Sequence, residues 1–355
     1  MKKTLTTLTI LAFMLAAGSA LAGAKLEIND EAYIDFGYRL QSYLTHMDTD
    51  LNPAEDGMET SRDFVLRRAR LRVKGVINDK ISIFLQSDVS GKNMQMIDAF
   101  VTYKADPWVQ FLMGRNMAPS SRQATTSSGA LMAIDRPGLV YKALNWGTRY
   151  KYGFNATNFA ATTGIDAGDD TVRDNGLTLF GTGDMGDNGH LKYYAGMYNG
   201  GDTSGVDGND KDHMAFRVQY NLWDAEAGYY NNSTYLGKKK TLGIGFSYDM
   251  QDEVGTDGAS GDPFGYALMS ADLFLELPSA AGNALTAEFG YSALDFDDAA
   301  GSEMYTGSGF YGQAGYYLAS GFQPWVMYEM WGSDADENGA GQTPGDFTTL
   351  RAGVT

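Results

Sequence analysis

The chain has 355 residues, is 43% hydrophobic and 20% charged, carries a formal net charge of −17 and contains no cysteine. A balance that acidic excludes nucleic acid as a general partner, and without cysteine no disulfide can hold the fold. Beyond the N-terminal 22 residues no run of 18 apolar residues occurs, so no helix is long and apolar enough to cross a membrane.

In chain order, Lys2 and Lys3 come first, an apolar run from Leu8 to Ala17 follows, and small residues lead to Ala20-Leu21-Ala22. Charged start, apolar middle and A-x-A site form a secretory signal peptide. The apolar run is too short for the ~30 Å hydrocarbon layer. Residues 1–22 are therefore expected to be cleaved, leaving residues 23–355. That mature chain has 25 Lys+Arg against 44 Asp+Glu, a net of −19.

From residue 31 the dominant signal is period-two alternation in segments of about ten residues, the length of a membrane-spanning strand. Ala32, Ile34, Phe36, Tyr38 and Leu40 interleave with Glu31, Asp35, Arg39 and Gln41. The pattern returns in 191–198, 216–220, 242–249, 267–276, 285–292 and 310–318. One face suits lipid and the other water. Tyr placed near many strand ends fits interfacial girdles. Short connections (78–80, 105–107, 319–321) and long Gly- and Asp-rich ones (46–61, 199–211, 251–263, 296–306, 333–346) match the two ends of an outer-membrane barrel. The two lengths lose step once, between Asn221 and Phe264. The reading is all-β: a transmembrane antiparallel β-barrel of about 16 strands. The strand-like run Thr348 to Thr355 reads as an incomplete last strand, or as one that a further strand should follow, because such barrels close with an even number.

Residues 116–172 alternate poorly, apart from a possible short strand in 147–154. A loop that long is usually functional, and in a barrel its natural place is inward, narrowing the lumen.

The sharpest feature is Phe64-Val-Leu-Arg-Arg-Ala-Arg-Leu-Arg-Val-Lys-Gly75. As a strand it puts Arg68, Arg70, Arg72 and Lys74 on one lumenal row ~6.7 Å apart. Val65, Ala69, Leu71 and Val73 then face lipid, with Arg67 stranded among them. Four like charges in a row need an offset: Asp88 and Asp98 on later strands, water, or a passing anion. A wall row neutralised by those carboxylates and an anion path stand about level. Residues 62–151 hold 15 Lys+Arg against 6 Asp+Glu, whereas the other mature residues hold 10 against 38. The loop adds Arg122, Arg136, Lys142, Arg149 and Lys151. Lys238, Lys239 and Lys240 read as a solvated hairpin end.

No enzyme or metal signal competes. Asp207–Asp212 lacks the calcium-loop spacing and its final Glu. His46, His190 and His213 lack metal-ligand spacing, and no G-x-S-x-G follows the signal peptide. No catalytic residue, metal or cofactor is expected.

The chain also resembles the phosphate-selective porin O and P family. The likeness is carried by Arg67-Arg-Ala-Arg-Leu71, Met113-Gly-Arg115, Arg173-Asp-Asn-Gly176, Tyr198-Asn-Gly200 followed by Asp210-Lys-Asp212, and Ala284-Leu-Thr-Ala-Glu288. The resemblance implies a 16-stranded trimeric porin of the bacterial outer membrane, with a loop folded into the lumen and Arg68, Arg70, Arg72 and Arg115 lining the pore. The expectation is a passive channel for small hydrophilic solutes with an anion preference, a homotrimer among outer-membrane lipid and lipopolysaccharide. Two alternatives are a barrel plugged by 116–172 that acts as sleeve for another exported protein, and, less favoured, a barrel enzyme.

Overall fold

The computed structural model describes residues 23–49, 59–90, 94–137, 173–200, 211–256, 260, 262–297, 306–335 and 346–355. The signal peptide, the possible strand in 147–154, and Lys142, Arg149 and Lys151 lie outside the described residues.

Among the described residues fifteen strands form one sheet whose order follows the chain from β1 to β15. They are β1 Gly23–Glu27, β2 Tyr33–Thr49, β3 Glu59–Val76, β4 Ile81–Asp88, β5 Gln95–Asp106, β6 Val109–Met117, β7 Arg173–Asp184, β8 Gly189–Tyr198, β9 His213–Trp223, β10 Thr241–Thr256, β11 Pro263–Pro278, β12 Ala284–Phe296, β13 Gly307–Tyr317, β14 Pro324–Ser333 and β15 Phe347–Val354. Among the described residues there is no helix. The fold is thus all-β, an antiparallel meander. The chain divides into two compact units, residues 1–102 and 103–355, with the boundary inside β5.

In the first unit, Phe36, Tyr38, Leu40 and Leu44 of β2 share a face with Val73, Leu71, Ala69 and Phe64 of β3. Most of that row is exposed: Phe64 by 84% and Leu40 by 51%. Apolar side chains facing out in a continuous row suit lipid rather than water. Between Gln41 and Ser42 the β2–β3 register shifts by one residue, so Gln41 faces Arg68, Ser42 faces Leu66, and Arg67 is extra. This β-bulge corrects the face assignment made from alternation. One inserted residue reverses parity beyond it. Leu66 therefore joins the apolar row, Val65 leaves it, and Arg67 is the bulge residue rather than a charge stranded in that row.

Asx residues close two of the short connections, as expected of side chains that accept from the backbone just ahead. Asn78 Oδ1 accepts from the N–H of Lys80 at 3.0 Å and of Ile81 at 2.8 Å, and Asn29 Oδ1 accepts from Ala32 at 2.8 Å.

The second unit inverts the rule of soluble proteins. Phe216, Val218 and Tyr220 of β9 are exposed, while Arg217, Gln219 and Asn221 between them are buried. The same exchange runs through β10 to β12: Ile244, Phe246, Met269, Leu273 and Phe289 face out, and Ser247, Asp249, Ser270, Asp272 and Glu288 face in. The loss of step between Asn221 and Phe264 has a structural origin. Residues 224–240 link β9 to β10 at the end where every other connection is short. This longer link does not project away: Glu226, Tyr229, Asn231, Ser233 and Thr234 are all buried. It is a folded-in connection, so the alternation of the two ends continues beyond it.

Candidate functional site

The cationic row of β3 lies on the face opposite the apolar one. Arg68 is 1% exposed and donates from Nη1 to Gln41 Oε1 at 2.7 Å. Arg70 donates from Nε to Asp88 Oδ2 at 2.7 Å. Asp88 also accepts from the Ser90 hydroxyl at 2.6 Å. Gln86, the β4 partner of Arg72, donates to Asp98 Oδ2 at 2.7 Å. Asp88 thus neutralises one member of the row, and Asp98 is hydrogen-bonded to the residue paired with another across the ladder. Arg72 and Lys74 are exposed, and among the described residues neither has a salt-bridge partner. Arg72 has room because its β2 partner is Gly37, where a Cβ would overlap the stem of the Arg72 side chain. Arg39 of β2, which pairs with Arg70 across the ladder, belongs to the same row. It went unnoticed as a site residue because a lone Arg in an alternating segment carries no signal until the register is known.

Arg115 sits differently. The β6–β7 ladder runs from Gln110↔Phe180 to Met117↔Arg173 without a shift, and Arg115 pairs with Asn175. Arg115 therefore shares its face with Met113 and Leu177, both exposed, and not with buried Thr178 and Asp174. Its register does not bring it to the polar face.

Arg122 and Arg136 belong to residues 118–137, the described first part of the long connection after β6. This segment lies on the polar face of the second unit. Arg122 is 1% exposed and donates from Nη1 to Glu226 Oε2 at 2.9 Å and from Nη2 to Glu226 Oε1 at 2.7 Å. Its guanidinium stacks 3.9 Å above the Phe274 ring centroid and approaches Glu288 Oε2 at 3.9 Å. Gln123 donates to Glu288 Oε1 at 2.5 Å. Farther along, Met132 packs with Trp325 and Met327 of β14. Thr355 donates to the Met132 carbonyl at 2.6 Å and Arg351 to the Arg136 carbonyl at 3.3 Å. Arg136 donates to the carbonyls of Gln123 at 3.2 Å and Thr126 at 2.5 Å. Both arginines spend donors on holding the segment, unlike exposed Arg72 and Lys74.

Acidic side chains of the wall are engaged in turn. Asp272 takes both terminal nitrogens of Arg217, at 2.5 and 2.9 Å. Glu329 accepts from Arg351 at 2.5 Å. Glu276 accepts from the N–H of Tyr235 at 2.6 Å and of Gly237 at 2.7 Å. Of these residues only Arg122 and Arg136 are site candidates in the sequence; Arg217, Asp272, Glu276 and Glu288 stand there as members of alternating strands, Glu288 also within a family motif. Glu226 sits in the unremarkable run Asp224-Ala-Glu-Ala, whose one sequence signal was the lost step of the connections. Burial pushes the Glu226 carboxyl up, but the charge and hydrogen bonds of Arg122, aided by Lys192 and Asn221, bring it down to about 2. The lysine run stays at the turn, where Lys240 lies 4.4 Å over the Trp223 ring and Lys239 donates to the Ala225 carbonyl. Among the described residues no group of His, Asp and Glu is arranged to hold a metal ion.

The family model for phosphate-selective porin O and P matches residues 36–343. No curated protein matches the chain. Among solved structures, the chain is similar to a loop L8 deletion mutant of OmpT, an outer membrane protein of Vibrio cholerae. That match has 14% identity and a TM-score of 0.44, and covers 92% of this chain and 99% of that one. OmpF of Salmonella typhi in complex with daunomycin matches at 12% identity and a TM-score of 0.47, covering 93% and 99%. An anion-selective porin from Comamonas acidovorans matches at 11% identity and a TM-score of 0.42, covering 91% and 99%.

Proposed function

Because this chain belongs to the phosphate-selective porin O and P family, and so is an outer-membrane β-barrel channel, we propose that it passes small hydrophilic solutes passively, prefers anions, and is narrowed by residues 118–137. The observation that carries the anion preference is the β3 row. Arg72 and Lys74 are exposed on the polar face with no salt-bridge partner among the described residues. Fixed cations on a water-filled wall raise the local anion concentration. Acidic residues outnumber basic ones in the chain, but the wall carboxylates Asp272, Glu288 and Glu329 are buried and already hydrogen-bonded. Their charge is spent on internal partners. The proposed assembly is a homotrimer among outer-membrane lipid and lipopolysaccharide, with residues 1–22 removed.

A second reading is favoured by the same burial: two inserted segments with interlocked polar groups would also suit a closed barrel serving as a sleeve or partner-binding component. Planar-bilayer recording separates the two. The channel reading expects discrete conductance steps and, in a salt gradient near 0.1 M, a reversal potential of anion sign. Absence of steps would favour the closed barrel, and a reversal potential of cation sign would refute the anion preference.

A further inference from the structure

Residues 118–137 and 224–240 enter the polar face of the second unit from opposite ends of the strands. The first follows β6 at the long-connection end, the second follows β9 at the short-connection end. They meet. Ser127 N–H donates to the Asn231 carbonyl at 2.8 Å, Asn231 N–H to the Thr125 carbonyl at 2.7 Å, and Ser233 N–H to the Ala130 carbonyl at 2.9 Å. Thr126 and Asn231 form an isolated parallel bridge.

At the centre of this junction Glu226 gathers donors from three directions. Oε1 accepts from Arg122 of the first segment and from the Tyr235 hydroxyl of its own segment, both at 2.7 Å. Oε2 accepts from Arg122 at 2.9 Å, and from Gln219 at 2.7 Å and Asn221 at 3.0 Å on the β9 wall. Five donor contacts converge on one carboxylate that is 1% exposed. Beside it, Lys192 of β8 donates to the Glu226 carbonyl at 2.8 Å and to Asn231 Oδ1 at 2.7 Å. Only an ionised acid, acceptor at both oxygens, satisfies that set. An amide in its place would turn two N–H donors toward donors already there.

We propose that Glu226 is the positioning residue that fixes 118–137 by clasping it to the turn 224–240 and to the β9 wall, so that the width of the channel is set jointly from both ends of the barrel. The consequence for width rests on the reading of 118–137 as the constriction; the clasp itself does not.

The chain has no cysteine, so a single probe thiol reports cleanly. Ala124 is completely buried between the segments, packed with Met117 and Tyr230. In full-length folded protein, Ala124→Cys should react slowly with a membrane-impermeant maleimide. Adding Glu226→Gln should speed labelling at least tenfold, with the heat-modified gel shift of the barrel retained. Arg122→Gln breaks the same bidentate pair from the other side and leaves the contacts of Glu226 to Gln219, Asn221 and Tyr235. It serves as the second route where Glu226→Gln does not fold. The double variant Arg122→Gln, Glu226→Gln should label no faster than the faster single, because both remove one clasp. Unchanged labelling in a folded single variant would overturn the proposal, and so would additive acceleration in the double. Faster labelling with unchanged single-channel conductance would uphold the clasp and sink the constriction reading instead.

Discussion

Arg72→Gln with Lys74→Gln removes two exposed positive charges while keeping polar side chains. It leaves Asp88 paired with Arg70, and Asp35, the β2 partner of Lys74 in the ladder, has no salt bridge among the described residues to lose, so each substitution changes the wall by one unit. For an ion passing about 8 Å from each charge in water, the unscreened energy is roughly 0.5 kcal/mol per charge. It is favourable for an anion and unfavourable for a cation, so the anion-to-cation balance shifts by roughly 2 kcal/mol for the pair. With a Debye length of ~10 Å at 0.1 M, screening leaves about 0.9 kcal/mol, a permeability ratio change of about fivefold; at 1 M, with ~3 Å, less than about 1.5-fold remains. The assay is the reversal potential in planar bilayers across a fixed salt ratio, measured at both mean concentrations. The double variant should move toward cation preference at low salt and coincide with the unsubstituted channel at high salt. An unchanged reversal potential at 0.1 M, in protein that still shows the gel shift of a folded barrel, would refute the reasoning and return the row to wall structure.

Two further outcomes follow from the inserted segments. Deleting 120–137 should raise single-channel conductance, because this removes side chains that cover the polar face of β11 to β15; an unchanged conductance from a folded channel would place the segment outside the conducting path. The second concerns pH. The Glu226 carboxyl is held at about 2, below the ordinary ~4.3. A depressed carboxyl contributes stability that is complete above the unfolded value and is lost as pH falls through the folded one, here about 3 kcal/mol between roughly pH 4.5 and 2. The difference in heat-modification temperature between the parent and Glu226→Gln should therefore be constant from pH 7 to about 5 and shrink toward pH 2. A difference that instead grows on acidification would contradict the ionised, paired state.

How far this could be read from residues alone depends on which physical signal each feature leaves. Strands of an outer-membrane barrel alternate because their two faces meet different solvents. Leu191 to Tyr198 and Leu285 to Ser292 therefore announce β8 and β12 directly. The inward-loop interval 116–172 was bounded by where alternation fails, within two residues of the end of β6 at Met117 and the start of β7 at Arg173. The bulge at Arg67 was not legible. In Arg67-Arg-Ala-Arg-Leu71 an inserted residue and a regular strand give equally plausible polarity patterns, and only pairing with Gln41 and Ser42 decides. Arg115 shows the same limit, since its face depends on the register with Asn175 rather than on its own neighbours. Glu226 left no local mark. Its importance comes from five donors, two of them on Arg122, 104 positions earlier in the chain.

The acidity of the chain and a preference for anions are compatible once charges are assigned to partners instead of summed. An ion in a channel responds to the potential at the wall, and a carboxylate bound to a guanidinium presents little net charge at a distance longer than their separation. Asp272 with Arg217, Glu329 with Arg351, Glu226 with Arg122 and Asp88 with Arg70 are four such neutral units. Asp88–Arg70 and Glu329–Arg351 join neighbouring strands, Asp272–Arg217 reaches across β10 from β11 to β9, and Glu226–Arg122 joins the two inserted segments. These ion pairs thus also neutralise the four acids that they engage. Arg72 and Lys74 lack such a partner among the described residues, and Gly37 leaves open the space that Arg72 uses. Selectivity on this account is set by the few charges left over after the interior has been assembled. A count of all ionisable residues would assign the opposite sign.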